Sequence, residues 1–441
     1  MSAESNIVGG VDAQVSDMPN MIQLGGELAP EAPAQIDGLG LDFSVLSNLA
    51  LKLASTVPQF KTDWAAQELR LPLQIAEQIY WQLKQDKLVE VIGQESVFVY
   101  RYATTERGRE FAKRLMEISG YVGPVPVSLA NYTAMISWLV QRQADVDLTA
   151  VQAALSHLVI PESAVRVAAL AASSGRSLFL FGPPGNGKTT MGQSLHRVME
   201  GYLWIPYCIG IENTIIRIFD PQCHELYDDS EPSGNHDRRW IRIRRPLIVA
   251  GGEMTMEELD LVFHSGQRFY EAPPHIKANG GTFLIDDFGR QRMKPHELLN
   301  RWIVPLERRV DFLSLNTGQK IEMPFELMLV VATNLTLSEV ADPAFLRRMG
   351  YRLHLDLPTE GQYREIFTRC AHSVGAEPAP NLLTELLARY VAENRELRCS
   401  EPRELIERSR DICKVYGWTF QLTKEVLDLA WEGFFGSPGL K

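Results

Sequence analysis

The sequence predicts an α/β fold whose parallel sheet presents a phosphate-binding loop, and two observations carry that prediction. The first is a strand, a loop and a helix in immediate succession. Ser177 to Phe181 (SLFLF) is an apolar run of strand length, and Thr190 to Glu200 has helical character. Between them Gly182-Pro183-Pro184-Gly185-Asn186-Gly187-Lys188-Thr189 fits G-x-x-x-x-G-K-[ST], the Walker A pattern or P-loop. The second is Gly280-Gly281-Thr282-Phe283-Leu284-Ile285-Asp286-Asp287, an apolar strand ending in two carboxylates.

Each residue type in the loop has a physical task. Glycines let successive backbone N–H groups turn inward, and a helix N-terminus adds a field that favours anions. Gly182 through Thr189, with Thr190 opening the helix, form the candidate ATP loop. Lys188 would reach the β- and γ-phosphates, and the Thr189 hydroxyl would bind Mg²⁺. An acid at a strand tip beside such a loop is the second Mg²⁺ ligand, the place of Asp286. Asp287 could orient or deprotonate the attacking water. A Gly/Pro-rich turn is the alternative for the loop, but the strand-loop-helix setting favours the P-loop, whereas the acids taken singly read as a polar turn after a strand. Their pairing favours nucleotide chemistry.

From here the chain resembles the AAA+ ATPases, motif by motif and in order. Leu329-Val330-Val331-Ala332-Thr333-Asn334 looks like the sensor-1 strand, which implies that Asn334 contacts the γ-phosphate or the water. Asp342-Pro343-Ala344-Phe345-Leu346-Arg347-Arg348 looks like the segment ending in an arginine finger, with Arg347 or Arg348 acting on a neighbouring subunit's nucleotide. Ser400-Glu401-Pro402-Arg403-Glu404-Leu405 resembles the start of the sensor-2 helix, with Arg403 facing the phosphates. The resemblance runs from about Asp147 to the C-terminus. It implies an αβα core with a helical lid, ATP and Mg²⁺ as cofactors, and self-assembly into a ring, with a hexamer expected. Ala278 to Leu284 is similar to the segment before Walker B in bacterial enhancer-binding activators. Val310 to Phe325 alternates around Asn316-Thr317-Gly318, a hairpin that resembles the branch with a pre-sensor-1 insertion. The activators' GAFTGA loop is absent from the sequence. Asp287 stands where the family usually has Glu, one methylene longer, so slow turnover is expected.

The remaining elements follow in chain order. Residues 1–40 are acidic, without Lys, Arg or aromatics, and predict a mobile tail. Residues 41–120 predict a small α+β domain: helices at Phe43–Ser55, Thr62–Leu71 and Leu73–Leu88, two strands within Val89–Tyr102, and a helix at Thr104–Met116. That order resembles a winged helix. DNA binding through the third helix is one reading. Protein docking is favoured, because Glu77 and Asp86 balance Lys84 and Lys87. Residues 121–146 are a connector with a stiff Gly123-Pro124-Val125-Pro126 break and a helix from Ser128 to Gln143. Residues 147–357 are the nucleotide-binding core, in which Leu203 to Ile209 should be the second strand. Asn213–Phe219 and Trp240–Val249 read as further strands, flanking acids (Asp228, Asp229, Glu231) and a basic run (Arg238, Arg239, Arg242, Arg244, Arg245). That run could meet nucleic acid or an acidic client, but a solvated face or subunit contact is favoured. Phe269-Tyr270 reads as core packing rather than a pore loop. Residues 358–441 hold four amphipathic stretches, the expected lid.

Composition sets outer bounds. A chain of 441 residues can hold two or three domains with full cores. Its formal net charge of −11 argues against a generally basic nucleic-acid binder. The five cysteines are scattered without a C-x-x-C pair, and Cys223-His224 with His236 lacks zinc spacing, so free thiols in a reducing cytoplasm are expected. No apolar stretch is long enough to enter and span a bilayer. Three functions remain in play: an ATP-driven remodeller of a protein partner, a DNA-associated regulator, and a slow-hydrolysing ATP-gated scaffold.

Overall fold

A computed structural model of the chain describes residues 7–8, 17–96, 99–142, 146–199, 201–212, 214–228, 234–292, 294–336, 339, 346–379 and 381–436. At its centre five strands lie side by side in the order Leu247–Ala250, Thr282–Ile285, Met328–Thr333, Leu178–Phe181, Tyr351–His354. Every pairing in this sheet is parallel. Parallel strands need crossovers, so helices cover both faces and the inner strands are apolar throughout. One face packs on Leu148–Leu155, Glu162–Ser174 and Lys188–His196, with Val151, Ala168 and Met191 against Leu180, Leu284 and Val330. The other packs Phe179, Phe283 and Leu329 against Leu298 and Trp302 of the helical pair Pro295–Arg301 and Ile303–Arg308 and its flanks. The core is an αβα sandwich with the P-loop at the carboxyl end of its strand.

The second strand corrects the sequence reading. Tyr202–Pro206 pairs antiparallel with Trp240–Arg244, outside the central sheet, and Cys208–Ile211 joins a separate five-stranded sheet. Leu247–Ala250 takes the edge position instead. An edge strand keeps a weaker apolar pattern, whereas Leu203, Trp204, Ile205 and Ile209 are apolar because they lie between layers, packed with Tyr132 and Ile243. Phe269 and Tyr270 are buried in this inserted region, as core packing requires. The hairpin Val310–Ser314 and Lys320–Pro324 lies where its alternation places it, and Gly318 takes a left-handed φ of 83° in the turn.

Residues 17–40 also differ from the expected mobile tail. Met21–Leu24 and Glu27–Pro30 form an antiparallel hairpin. The Leu28 carbonyl accepts from Trp204 Nε1 at 3.0 Å. Met18, Met21, Leu24 and Ala29 pack on the Trp204 cluster, and Leu39 is buried in the next domain. The acidic composition hid enough aliphatic surface to anchor the segment. Ile7–Val8 pairs in parallel with Lys320 and Ile321.

The N-terminal domain has the expected element order: helices Phe43–Ala54, Thr62–Leu69 and Leu73–Gln85, strands Val89–Gln94 and Tyr100–Thr104, then helix Glu106–Ile118. Its core stacks Phe60, Tyr80 and Tyr102. Val97 and Phe98 lie outside the described residues. The connector helix Leu129–Gln141 is capped by Ser128 and buries Tyr132, Met135 and Ile136. The C-terminal helices Glu360–Ser373, Leu382–Ala392, Glu401–Tyr416 and Lys424–Phe435 pack around Tyr363, Phe367, Tyr390 and Trp431. Among the described residues no helix is long and apolar enough to cross a membrane.

Candidate functional site

The loop's conformation explains its glycines. Gly182 has φ 137°, and a Cβ there would lie 2.2 Å from the Leu355 carbonyl. At Gly185, with φ 80°, a Cβ would meet Ser400 Oγ at 2.6 Å. Neither position admits a side chain. The loop opens directly into Lys188–His196. Asn186 is buried and donates to the Asp356 carbonyl at 3.0 Å, which ties the loop to the end of the last core strand. Lys188 Nζ donates to the Gly182 and Pro183 carbonyls at 2.9 and 2.8 Å. Burial lowers its pKa, opposed by the charges of Asp287 and Asp286.

The two carboxylates meet the loop as their strand position suggests. Thr189 Oγ1 donates to Asp286 Oδ1 at 2.7 Å. Asn334 Nδ2 donates to Asp287 Oδ1 at 3.1 Å. Asp287 sits in the left-handed region, with φ 46°, an uncommon backbone for a non-glycine residue. These residues line a cleft of about 600 Å³ with Pro184, Gly185, Gly187 and Thr190 on the loop side. Thr189 and Asp286 offer the hard oxygen donors that suit Mg²⁺.

The lid closes the cleft from the opposite side. Ser400 N donates to the Gly185 carbonyl at 2.9 Å. Buried Glu401 accepts from Tyr390 OH at 2.7 Å and from Arg398 N at 3.2 Å, which anchors the helix that carries Arg403. Arg403 lines the cleft beside Cys370. Burial pushes the Cys370 thiol up, opposed by Arg403, and burial pushes Cys399 to about 11, so both cleft thiols stay protonated at neutral pH. Sequence reasoning missed His157, Leu158, Ile160, Ile366, Cys370 and Arg290, all of which line the same cleft. They come from three places far apart in the chain, the segment 157–160, the helix Glu360–Ser373 and the turn at Arg290, so no local motif marks them.

Other candidates lie elsewhere. Arg347 is exposed, and Arg348 Nε donates to Glu307 at 2.6 Å; neither lines this chain's own cleft. Asp342 to Phe345 lie outside the described residues, as do Asp229 and Glu231. The basic run is internally neutralised. Arg239 pairs with Asp237 at 2.7 Å, both buried, Arg242 pairs with Glu27 and Asp228, and Arg244 pairs with Glu225 at 3.1 Å. Buried Arg245 donates to the Gly280 carbonyl at 2.6 Å. That is a structural seam rather than a phosphate-tracking face. His224 hydrogen-bonds the Lys277 carbonyl at 2.9 Å, and no metal cluster occurs among the described residues.

Two buried polar nodes join the carboxylate strand to the hairpin. His275 Nε2 and Asp311 Oδ2 are 2.8 Å apart, both fully buried, and Arg301 completes the group at Asp311. Asn279 donates to Tyr132 OH at 3.1 Å and to the Pro324 carbonyl at 2.8 Å, and accepts from Glu326 N at 2.8 Å. The Asn279 node therefore ties the connector helix and the end of the hairpin to the turn that precedes strand Thr282–Ile285.

Fold and cleft together combine a parallel αβα core, a glycine loop, paired strand-end carboxylates, a strand-end asparagine and a C-terminal helical unit, an arrangement that resembles the AAA+ architecture. Residues 359–433, the lid helices, match a family described as a domain of unknown function (DUF8689). No curated protein sequence is found to match the chain. The chain is similar to the RuvB Holliday junction branch migration motor of Thermotoga maritima, at 16% identity over 62% of this chain and 69% of that one, with a TM-score of 0.36. It is also similar to NtrX of Brucella abortus, at 12% identity over 73% and 59%, with a TM-score of 0.38. At such identity and superposition nothing about substrate or partner carries across to this chain.

Proposed function

We propose that this chain binds Mg²⁺·ATP in the cleft, hydrolyses it, and works as a cytoplasmic oligomeric ring that remodels a protein partner. The observation that supports this most is the 2.7 Å contact of Thr189 with Asp286 at the mouth of the glycine loop. Those two oxygens would hold Mg²⁺, which supplies charge neutralisation at the phosphates. Lys188 exchanges its loop carbonyls for the β- and γ-phosphates. In hydrolysis the water oxygen bonds to the γ-phosphorus as the bond from that phosphorus to ADP breaks. Asp287, oriented by Asn334, takes the water's proton, and ADP and inorganic phosphate leave. Arg403 brings positive charge from the lid, so lid motion follows the nucleotide state. Of the two finger candidates, Arg347 is favoured, because Arg348 is engaged by Glu307.

A DNA-associated role is the weaker reading. The third helix of the N-terminal domain exposes Gln74, Gln78, Trp81, Gln82 and Gln85, a face with little attraction for phosphates. Such a face suits docking to protein.

Ring action has a direct test. Arg347→Ala should retain ATP binding and lose on the order of 1,000-fold in turnover. Mixing it with Lys188→Ala subunits should recover part of the activity, since some interfaces then join an intact loop to an intact finger. A strictly monomeric chain with full activity at high dilution would contradict the ring.

A further inference from the structure

We propose that Arg290 is a catalytic arginine acting in cis, on the γ-phosphate of the nucleotide held by its own subunit. The inference rests on the ATP reading above and adds a residue that no motif supplies.

The turn after the carboxylates is built to hold one geometry. Gly289 has φ 100°, and a Cβ there would meet Leu335 Cδ1 at 2.4 Å. Gln291, buried, donates to the Asp286 carbonyl at 3.0 Å and the Asp287 carbonyl at 3.3 Å, and accepts from Gly289 N at 2.7 Å. Phe288 N donates to the Ala332 carbonyl at 2.8 Å, and the Phe288 carbonyl accepts from Thr333 Oγ1 at 2.6 Å. Arg290 N donates to the Asp287 carbonyl at 3.0 Å. The backbone beneath Arg290 is therefore pinned to the carboxylate strand and to the Asn334 strand. Donors fixed before the reaction cost no reorganisation during it.

Exposed Arg290 is among the residues that line the cleft, as are Asp287 and Asn334. Arg239, Arg301 and Arg348 are each held by a carboxylate, at Asp237, Asp311 and Glu307. No such ion pair is found for Arg290 among the described residues. An exposed arginine in the same cleft as two acids is matched to a ligand that brings more negative charge than the acids alone. The transferring γ-phosphoryl group spreads charge over three equatorial oxygens, and the guanidinium fork meets two of them at once. Arg290 forms no covalent bond and gives up no proton in the step; it offsets charge while Asp287 takes the proton from water. Such a cation is useful here, since Asp287 is the shorter acid and its left-handed backbone commits it to Asn334.

The test uses the full-length chain. Arg290→Ala should bind ATP much as the parent does and release phosphate on the order of 100-fold more slowly in a single turnover. Arg290→Lys should restore part of the rate. It should also weaken binding of ADP·aluminium fluoride, a planar phosphoryl mimic, relative to ADP. Mixing Arg290→Ala with Lys188→Ala subunits should recover nothing, because no subunit then has both groups. The parental rate in Arg290→Ala, recovery on mixing, or loss of ATP binding itself would each overturn the proposal. A parent chain that binds no ATP would instead overturn the ATP reading beneath it.

Discussion

Lys188→Ala should lower ATP affinity on the order of 10- to 100-fold, the worth of charge-assisted hydrogen bonds to phosphate. In the free protein the amine is buried and satisfied only by the Gly182 and Pro183 carbonyls. Burial already disfavours its charge. A polyphosphate arriving in the loop gives the ammonium stronger acceptors and reverses that penalty. Calorimetric titration with Mg²⁺·ATP measures the change, and unchanged affinity would remove the loop from nucleotide binding.

Asp311→Ala should destabilise the core by about 3–5 kcal/mol, the cost of removing one partner from a buried ionic group. Asp311 and His275 are fully buried, and His275 Nδ1 has no partner among the described residues. Loss of the carboxylate strands both His275 and the Arg301 guanidinium. Denaturant unfolding, with exposed Asp411→Asn as control, reads the difference. The pH dependence has a definite sign. Burial pushes the Asp311 carboxyl up, but hydrogen bonds and charge from His275 and Arg301 outweigh it and hold the pKa below the carboxylate range. Its contribution is therefore complete above the unfolded value of about 4 and is lost as pH falls through the lower folded value. A midpoint equal to that of the control would mean that the triad carries no net stability.

These two residues also mark what the sequence discloses. Lys188, Thr189 and the Asp286-Asp287 pair are legible because loop chemistry imposes local spacing on glycine, cation and hydroxyl. Asn334 is legible only through the resemblance of its strand to sensor 1. Asp311 is not, because its partners lie on other elements and a lone acid in an alternating strand looks solvated. The basic run failed the same way. Its charges are plain in the sequence, but Glu27, which pairs with Arg242, lies 215 residues away. Residues 203–209 misled because burial between layers mimics the apolar run of a central parallel strand. The acids of residues 17–40 masked a few aliphatic anchors. Arg290 went unread because its proposed role depends on a turn held by bonds from Gln291, Ala332 and Thr333 that no local spacing announces.

The account stands most directly on one paired measurement, ATP binding and phosphate release by the parent chain and by Asp287→Asn. The substitution removes the proton acceptor but leaves Lys188, Thr189 and Asp286 in place. Both proteins should bind Mg²⁺·ATP with similar affinity, and only the parent should release phosphate at a measurable rate. Equal phosphate release by the two, or a parent chain that fails to bind ATP, would contradict an ATPase site at this cleft.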